Sequence, residues 1–308
     1  MFKRWLDRFL ASPLVESTLN LARRIYPPGF EGLSFYAVAR FFFEGVRKGA
    51  VTTRAAAISF RFFLAVFPVI IMLLSLIPII PIDNFQESLF AAIQGFFPGD
   101  TFTLVEDTIE DLVNKSHNTV FSIGFILSVI YASNSVNAIL LGFNGSYNLQ
   151  SRGNPMVIRL VSLVLMLILG LFVIIATSVI IFSGVVFEEL IELGILVEDN
   201  IWMLNIAKYI LSFLLIYGTI TILYNIGDFK IRQWKTLSAG ATLTTVLIVL
   251  TSLGFAWFVN NFSSYNRLYG SLGTFLILLI WINVNSTILL IGFELNTSIA
   301  KAKSDLEK

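Results

Sequence analysis

Six long runs of apolar residues restrict this chain more than any other feature of its sequence. They cover about residues 56–80, 120–142, 157–187, 204–226, 237–259 and 270–297. A helix needs about 20 mainly apolar residues to cross the core of a bilayer, and each run is that long. None of the runs alternates between polar and apolar residues as a membrane β-strand does. The sequence therefore predicts an all-α, polytopic membrane bundle with six transmembrane helices.

The composition agrees with a lipid environment and excludes several classes of soluble protein. Hydrophobic residues make up 56% of the chain and charged residues 13%, whereas soluble proteins contain about 25% charged residues. A formal net charge of +1 provides no basic field for nucleic acid. The chain has no Cys and one His, His117, so thiol chemistry and a His-based metal site are excluded. We expect neither a cofactor nor a metal.

Basic residues alternate between the loops. Residues 1–55 contain nine Lys or Arg, whereas residues 81–119 contain one Lys and seven acidic residues. The segment 188–203 has five acidic residues and no basic one. Because loops rich in Lys and Arg stay in the cytoplasm, this alternation predicts that both termini, including a short tail at 298–308, are cytoplasmic.

Two regions outside the spans have the pattern of surface helices. Residues 1–55 carry apolar residues at helical spacing among basic ones, with a break at Tyr26–Gly29. We expect amphipathic helices there that either lie on the inner leaflet or pack against the bundle. The long loop 81–119 predicts one or two short helices on the outer face, which form either a cap over the helix ends or a lid.

Arg61 and Glu294 are ionisable side chains inside predicted spans. A charge at membrane depth is costly and usually faces the bundle or water, so each is a functional candidate. By residue count, both lie in the cytoplasmic half of the membrane. Their common depth predicts a charge-assisted pair. In the alternative, Arg61 extends to the inner headgroups and Glu294 binds polar backbone groups.

Amides line up on two predicted helices. On the second helix, four asparagines lie within an arc of about 80° at 100° per residue, and three polar residues share a face of the sixth helix. These residues are Asn134, Asn137, Asn144, Asn148, Asn283, Thr287 and Glu294. They predict either a polar cavity for a lipid headgroup or, as the alternative, hydrogen bonds that join helices.

Two motifs resemble those of the YihY/BrkB family. Residues 54–68 have the alanine-rich entry, the aromatic residues and the Phe-Pro pair of that family's first span. Residues 269–296 are similar to its closing motif, which has a Tyr-Gly pair, a central Trp and a Gly-x-Glu-Leu end. We expect structural roles for Pro68, which should kink the first helix, and for Tyr269, Gly270 and Trp281.

The resemblance implies a protein of the bacterial inner membrane. The family was once labelled as a ribonuclease and linked to serum resistance, and transport roles have been proposed for it. The residues conflict with a ribonuclease. A single His without a metal-ligand group provides no chemistry for RNA cleavage, and the sequence has no basic face that would bind RNA. We therefore expect no enzymatic activity.

Two functions fit this sequence. The favoured hypothesis is a transporter or flippase-like protein for a lipid or an amphipathic anion, with a cytoplasm-facing polar cavity between spans one, two and six. Arg61 would hold the anionic group, and Glu294 would compete for Arg61 when the site is empty. The alternative is a non-transporting scaffold for envelope assembly that contacts an envelope protein through its acidic outer loops. We expect membrane lipids as partners and no nucleic acid.

Overall fold

The structure is all-helical, as predicted. The computed structural model describes residues 23–27, 29–76, 118–149, 154–192, 201–228, 234–261 and 271–306. Within these ranges the principal elements are seven α-helices, and no strand occurs. They are α1 (Phe35–Lys48), α2 (Val51–Leu76), α3 (Asn118–Asn144), α4 (Pro155–Glu192), α5 (Ile201–Gly227), α6 (Ala239–Asn261) and α7 (Ser271–Leu306).

The helices α2 to α7 are the membrane spans. Among the described residues, these six helices are long and apolar enough to cross a membrane, which confirms the predicted number of spans. Large apolar side chains such as Leu167 and Trp257 are exposed on them. A soluble protein rarely exposes so many, whereas in a bilayer these side chains face lipid. The chain is therefore a multi-pass membrane protein.

The helix ends differ from the apolar runs at two places. The helix α2 begins at Val51, five residues before the run that starts at 56, and it continues through Pro68. The helix α7 extends to Leu306, so most residues of the predicted tail are helical. The expected kink at Pro68 stays a prediction. The predicted helices before residue 23 and in the loop 81–119 lie outside the described residues, as do Tyr269 and Gly270.

The helix α1 corresponds to the second amphipathic stretch of the N-terminal region. Ser34 caps its start, because the Ser34 hydroxyl accepts a hydrogen bond from the Ala37 N–H at 3.3 Å. Its end is closed by Gly49, whose N–H donates to the Gly45 carbonyl at 2.7 Å. Two basic residues in its last turn stabilise the helix, because their positive charges lie at the negative end of the helix dipole. The helix buries one side and exposes Phe43 on the other.

Two spans begin with typical start signals. Pro155 takes the first position of α4, where its missing N–H is not needed, and the Asn154 side chain accepts from the Met156 N–H at 2.9 Å. At the start of α6, the Ser238 hydroxyl accepts from the Ala241 N–H at 3.1 Å. These caps fix the residue at which each helix begins.

The chain divides into two compact units. Unit 1 contains residues 1–54, 140–249 and 287–308, and unit 2 contains residues 55–139 and 250–286. The helices α4 and α5 belong wholly to unit 1, whereas α2, α3, α6 and α7 contribute residues to both units.

The core of unit 1 is an aromatic cluster between α3, α5 and α7. The rings of Phe143 and Phe293 stack with their centroids 4.1 Å apart, and the ring of Tyr224 meets both edge-on. The Tyr224 hydroxyl donates to the Leu289 carbonyl at 2.7 Å and shares a hydrogen bond of 2.6 Å with the Thr244 hydroxyl. The buried phenol therefore ties α5 to α6 and α7 without leaving a polar group unpaired.

Aromatic contacts join helices in unit 2. Phe63 and Phe67 of α2 contact Phe275 of α7, with ring centroids 6.4 and 5.8 Å apart. Trp281 packs on Phe255 of α6, with the ring centroids 5.6 Å apart, and the structural role expected for Trp281 stays a prediction. Edge and offset contacts of this kind stabilise helix pairs where lipid removes the hydrophobic driving force between them.

Candidate functional site

The eight predicted binding residues fall into two groups. Unit 2 contains Arg61, Asn134, Asn137 and Asn283, and unit 1 contains Asn144, Asn148, Thr287 and Glu294. The two groups differ in what surrounds them.

In unit 1, Glu294 pairs with Arg54. The Arg54 Nη2 atom lies 2.6 Å from Glu294 Oε1, and the two side chains are 14% and 0% exposed. The predicted pair between Glu294 and Arg61 is therefore wrong. The sequence placed Arg54 in the segment before the first predicted span, so Arg54 was not considered as a partner of Glu294. In the structure α2 begins at Val51 and includes Arg54 in its first turn.

A buried network satisfies both oxygens of this carboxylate. The Ser146 hydroxyl donates to Glu294 Oε2 at 2.8 Å and shares a 3.2 Å hydrogen bond with the Thr297 hydroxyl. The Arg54 Nη1 atom donates to the Gly142 carbonyl at 2.6 Å. Charge-assisted bonds on both sides of the pair offset the desolvation that burial imposes on it.

Asn148 belongs to the same network. Its side chain is buried, and its Nδ2 atom donates to the Phe41 carbonyl at 2.8 Å and to the Ser298 hydroxyl at 3.0 Å. Asn148 lies beyond the end of α3 at Asn144, so the spacing of 100° per residue does not extend to it. For Asn148, the contacts match the alternative prediction of hydrogen bonds that join helices. We call Arg54, Ser146, Asn148, Glu294, Thr297 and Ser298 the Glu294 network.

Glycines pack directly against the Glu294 network. A Cβ atom added to Gly45 would lie 2.6 Å from Asn148 Nδ2 and 3.0 Å from Glu294 Oε2. A Cβ atom on Gly145 would lie 3.1 Å from Arg54 Cδ. Because the backbone approaches this closely, the network has the packing of a structural core at these positions.

Arg61 has a different environment in unit 2. Its side chain is exposed and has neither an ion pair nor a hydrogen bond among the described residues. It lies ten residues into α2, which is about 15 Å along the helix at 1.5 Å per residue. The flanking rings of Phe60 and Phe62 are also exposed, by 57% and 38%. Arg61 is thus exposed well inside a helix that is long and apolar enough to span a membrane, with an exposed aromatic residue on each side of it in the sequence.

Polar contacts lie close to Arg61 along the chain. The Ser135 hydroxyl of α3 donates to the Arg61 backbone carbonyl at 2.9 Å. Asn283 of α7 donates to the Ser59 hydroxyl at 3.2 Å. Asn134, which neighbours Ser135, is half-buried, as is Asn137. The helices α2, α3 and α7 therefore meet at polar side chains in unit 2.

Three buried polar atoms of unit 2 have no hydrogen-bond partner among the described residues. They are Ser133 Oγ, Trp281 Nε1 and Asn285 Oδ1. Most buried polar groups in proteins are paired, and bilayer hydrocarbon offers no substitute partner. A donor and an acceptor on α7 and a hydroxyl on α3 therefore retain hydrogen-bonding capacity for water or a polar ligand.

Unit 1 contains a cavity of about 300 Å³ at the start of α6, which the sequence reasoning missed. Its rim includes Glu31, Asp228 and Lys235, and Lys235 forms an ion pair with Glu31. Lys303 also binds Glu31, at 2.9 Å. Burial raises the pKa of the Glu31 carboxyl, but the hydrogen bonds and charges of the two lysines outweigh burial and hold the pKa below its usual value.

The amides of this cavity bind other parts of the protein. Asn225 donates to the Lys235 carbonyl at 2.9 Å and accepts from the Lys235 N–H at 2.8 Å. Asn296 accepts from the Gly240 N–H at 2.8 Å and donates to the Ser238 hydroxyl at 3.1 Å. These contacts attach the segment before α6 to α5 and α7, so they account for the polarity of the cavity wall.

This chain is similar in sequence to known membrane proteins. The family described as Virulence factor BrkB matches residues 42–308. YfkH of Bacillus subtilis (strain 168), which carries a provisional ribonuclease-like name, is 24% identical over 260 residues, 82% of this chain and 90% of its own length. A UPF0761 membrane protein of Histophilus somni (strain 2336) is 26% identical over 271 residues, 86% of this chain and 91% of its own. No solved structure matches.

The family match agrees with the fold. It includes all six spans and both motifs that resemble the YihY/BrkB family. Most of the related proteins carry the name of membrane proteins. The chain therefore belongs to the Virulence factor BrkB family of membrane proteins.

Proposed function

We propose that this protein moves a lipid or an amphipathic anion across the bilayer, as a transporter or a flippase-like protein. The observation that carries the proposal is Arg61, an exposed arginine without a side-chain partner among the described residues, about 15 Å along a membrane span. A charge at that depth is costly unless it faces water or binds an opposite charge. Arg61 is the proposed binding group for the negative charge of the substrate.

The polar groups of unit 2 support this proposal. Asn134, Asn137 and Asn283 supply amides in the same unit, and buried atoms of Trp281 and Asn285 retain hydrogen-bonding capacity. Such groups suit the hydroxyl, ester or phosphate oxygens of a headgroup. The proposed site is limited to unit 2.

Glu294 has no part in the proposed site. It was expected to compete with the substrate for Arg61, but its carboxylate is bound by Arg54 and Ser146. The substrate therefore meets Arg61 without an internal competitor from the Glu294 network.

We propose further that the protein lies in the inner membrane of a bacterium with both termini in the cytoplasm. The support is the alternation of basic and acidic loops along the sequence. A reporter fused after Lys308 should then be active only in the cytoplasm, and a tag placed near Glu192 should be reached from outside. A tag near Glu192 that only cytoplasmic reagents reach would reverse this orientation.

The transport proposal is tested by the movement of fluorescent anionic lipids between the leaflets of proteoliposomes. The protein should accelerate this movement, and Arg61→Gln should abolish the acceleration because the anion loses its cation. The matched control is Arg40→Gln, which removes an exposed arginine from α1 and should leave the rate unchanged. Equal rates for the parent and Arg61→Gln would contradict the proposal.

The alternative function is a non-transporting scaffold for envelope assembly. It is favoured by one observation, that Asn148 and Glu294 are engaged in contacts that join helices. A scaffold needs such contacts but no lipid movement. Proteoliposomes in which the folded protein leaves the rate at its protein-free value would support this second function.

A further inference from the structure

We infer that the ligand of Arg61 carries a single negative charge next to an apolar chain, as a phosphodiester lipid does. This inference rests on the proposed function and deepens it by naming the class of substrate. It draws on three features of the described part of unit 2, which are its charge, the unoccupied donors of Arg61 and the aromatic residues on either side of Arg61 in the sequence.

The charge of the described residues of unit 2 fits one negative charge. Arg61 is the only side chain with a formal charge among the described residues 55–76, 118–139, 250–261 and 271–286. A monoanion would neutralise it. A dianion would leave one uncompensated negative charge, and a zwitterion would leave the positive one, and either is unfavourable in a medium of low dielectric constant.

The guanidinium of Arg61 suits a phosphodiester. Its planar fork of N–H donors matches two oxygens on one phosphorus atom, which gives a bidentate, charge-assisted contact. Among the described residues nothing occupies these donors. The two non-bridging oxygens of a phosphodiester share one negative charge, so that both the geometry and the charge are complementary.

The neighbours of Arg61 suit an apolar chain. Phe60 and Phe62 are exposed on either side of Arg61, at angular offsets of about 100° on the helix. An acyl chain that leaves the phosphodiester can therefore lie along a ring while the headgroup stays at the guanidinium. A small soluble phosphodiester would use the charge but not the rings.

The inference is tested by lipid binding to the purified full chain in nanodiscs of phosphatidylcholine. The probes are phosphatidylglycerol, which has one charge, phosphatidic acid at pH 8, where a phosphate monoester is mainly doubly charged, and phosphatidylethanolamine, which has no net charge. Glycerophosphoglycerol serves as the soluble phosphodiester without acyl chains. Binding is measured by native mass spectrometry.

Phosphatidylglycerol should bind more tightly than the other three probes. Arg61→Gln should weaken its binding roughly tenfold or more, since a hydrogen bond to a charged group is lost. Arg61→Lys should retain part of the affinity because it keeps the charge without the fork. Arg40→Gln should bind as the parent does.

The outcomes separate the inference from the proposed function. If phosphatidic acid or phosphatidylethanolamine binds as tightly as phosphatidylglycerol and binding still depends on Arg61, the single-charge inference is overturned and the proposed function stands. If the soluble phosphodiester binds equally well, the apolar part of the inference is overturned. If no probe depends on Arg61 and the protein moves no lipid, the proposed function fails as well.

Discussion

Replacing Arg54 by Ala should destabilise the folded protein by about 3–5 kcal/mol. The change leaves Glu294, which is 0% exposed, without the cation that lies 2.6 Å from its carboxylate. Removing one partner of a buried ion pair typically has a cost of that size, because the remaining charge is neither hydrated nor compensated. The hydrogen bond from Ser146 to the carboxylate remains but is too weak to replace the cation.

The reciprocal change, Glu294→Gln, should have a smaller effect. Gln keeps an oxygen that can accept from Ser146, and the side chain of Arg54, at 14% exposed, has some access to water. A loss of about 1.5–3 kcal/mol is expected, the usual value of a hydrogen bond to a charged group. Because the two residues are in contact, the single effects should not add in the variant that carries both Arg54→Ala and Glu294→Gln.

The measurement is the free energy of unfolding in detergent, followed by tryptophan fluorescence. Arg40→Ala provides the control, since it removes an exposed arginine from α1 and should change stability by no more than about 0.5 kcal/mol. A loss below about 1 kcal/mol for Arg54→Ala, or strictly additive effects in the double variant, would refute the reasoning that the buried pair stabilises the fold.

Three further predictions concern unit 1. Gly292→Ala should lower the free energy of unfolding by about 1–3 kcal/mol, because the added Cβ atom would overlap a threonine and a tyrosine hydroxyl. In the control Gly170→Ala, the added Cβ atom would lie in open space and should not destabilise the protein. Tyr224→Phe should cost about 1–3 kcal/mol, as it leaves a buried carbonyl and hydroxyl with fewer partners. Glu31 should contribute stability that is present above its unfolded-state pKa and lost as the pH falls through its lowered folded-state pKa; Glu31→Gln should remove this dependence from acid titrations of stability.

The number and type of the spans follow from hydropathy, but the helix ends do not. Apolar runs mark the part of a helix that lipid surrounds, whereas the helix itself continues wherever its polar side chains find partners. The end of α7 shows this, since Ala302 is buried and Lys301 binds Asp305 one turn later at 3.0 Å. Neither contact changes the hydropathy of the sequence.

The candidate site was partly predictable. Residue counting and helical periodicity predict the position of Arg61 along its span and the amides in spans two and six, because these are properties of single helices. The partner of Glu294 depends on tertiary contacts and was missed. A signal was present in the small residues around Arg54, namely the three alanines that follow it and Gly45 and Gly49 before it, which allow close approach of another helix.

The ion pair between Arg54 and Glu294 has a consequence for biogenesis, because 240 residues separate the two partners along the chain. At about 5–20 residues per second, a ribosome needs roughly 12–48 s to add that length. During this time the first span carries its arginine without the carboxylate that binds it in the finished protein. The last span therefore completes the first, because the buried ion pair cannot form before Glu294 has been synthesised.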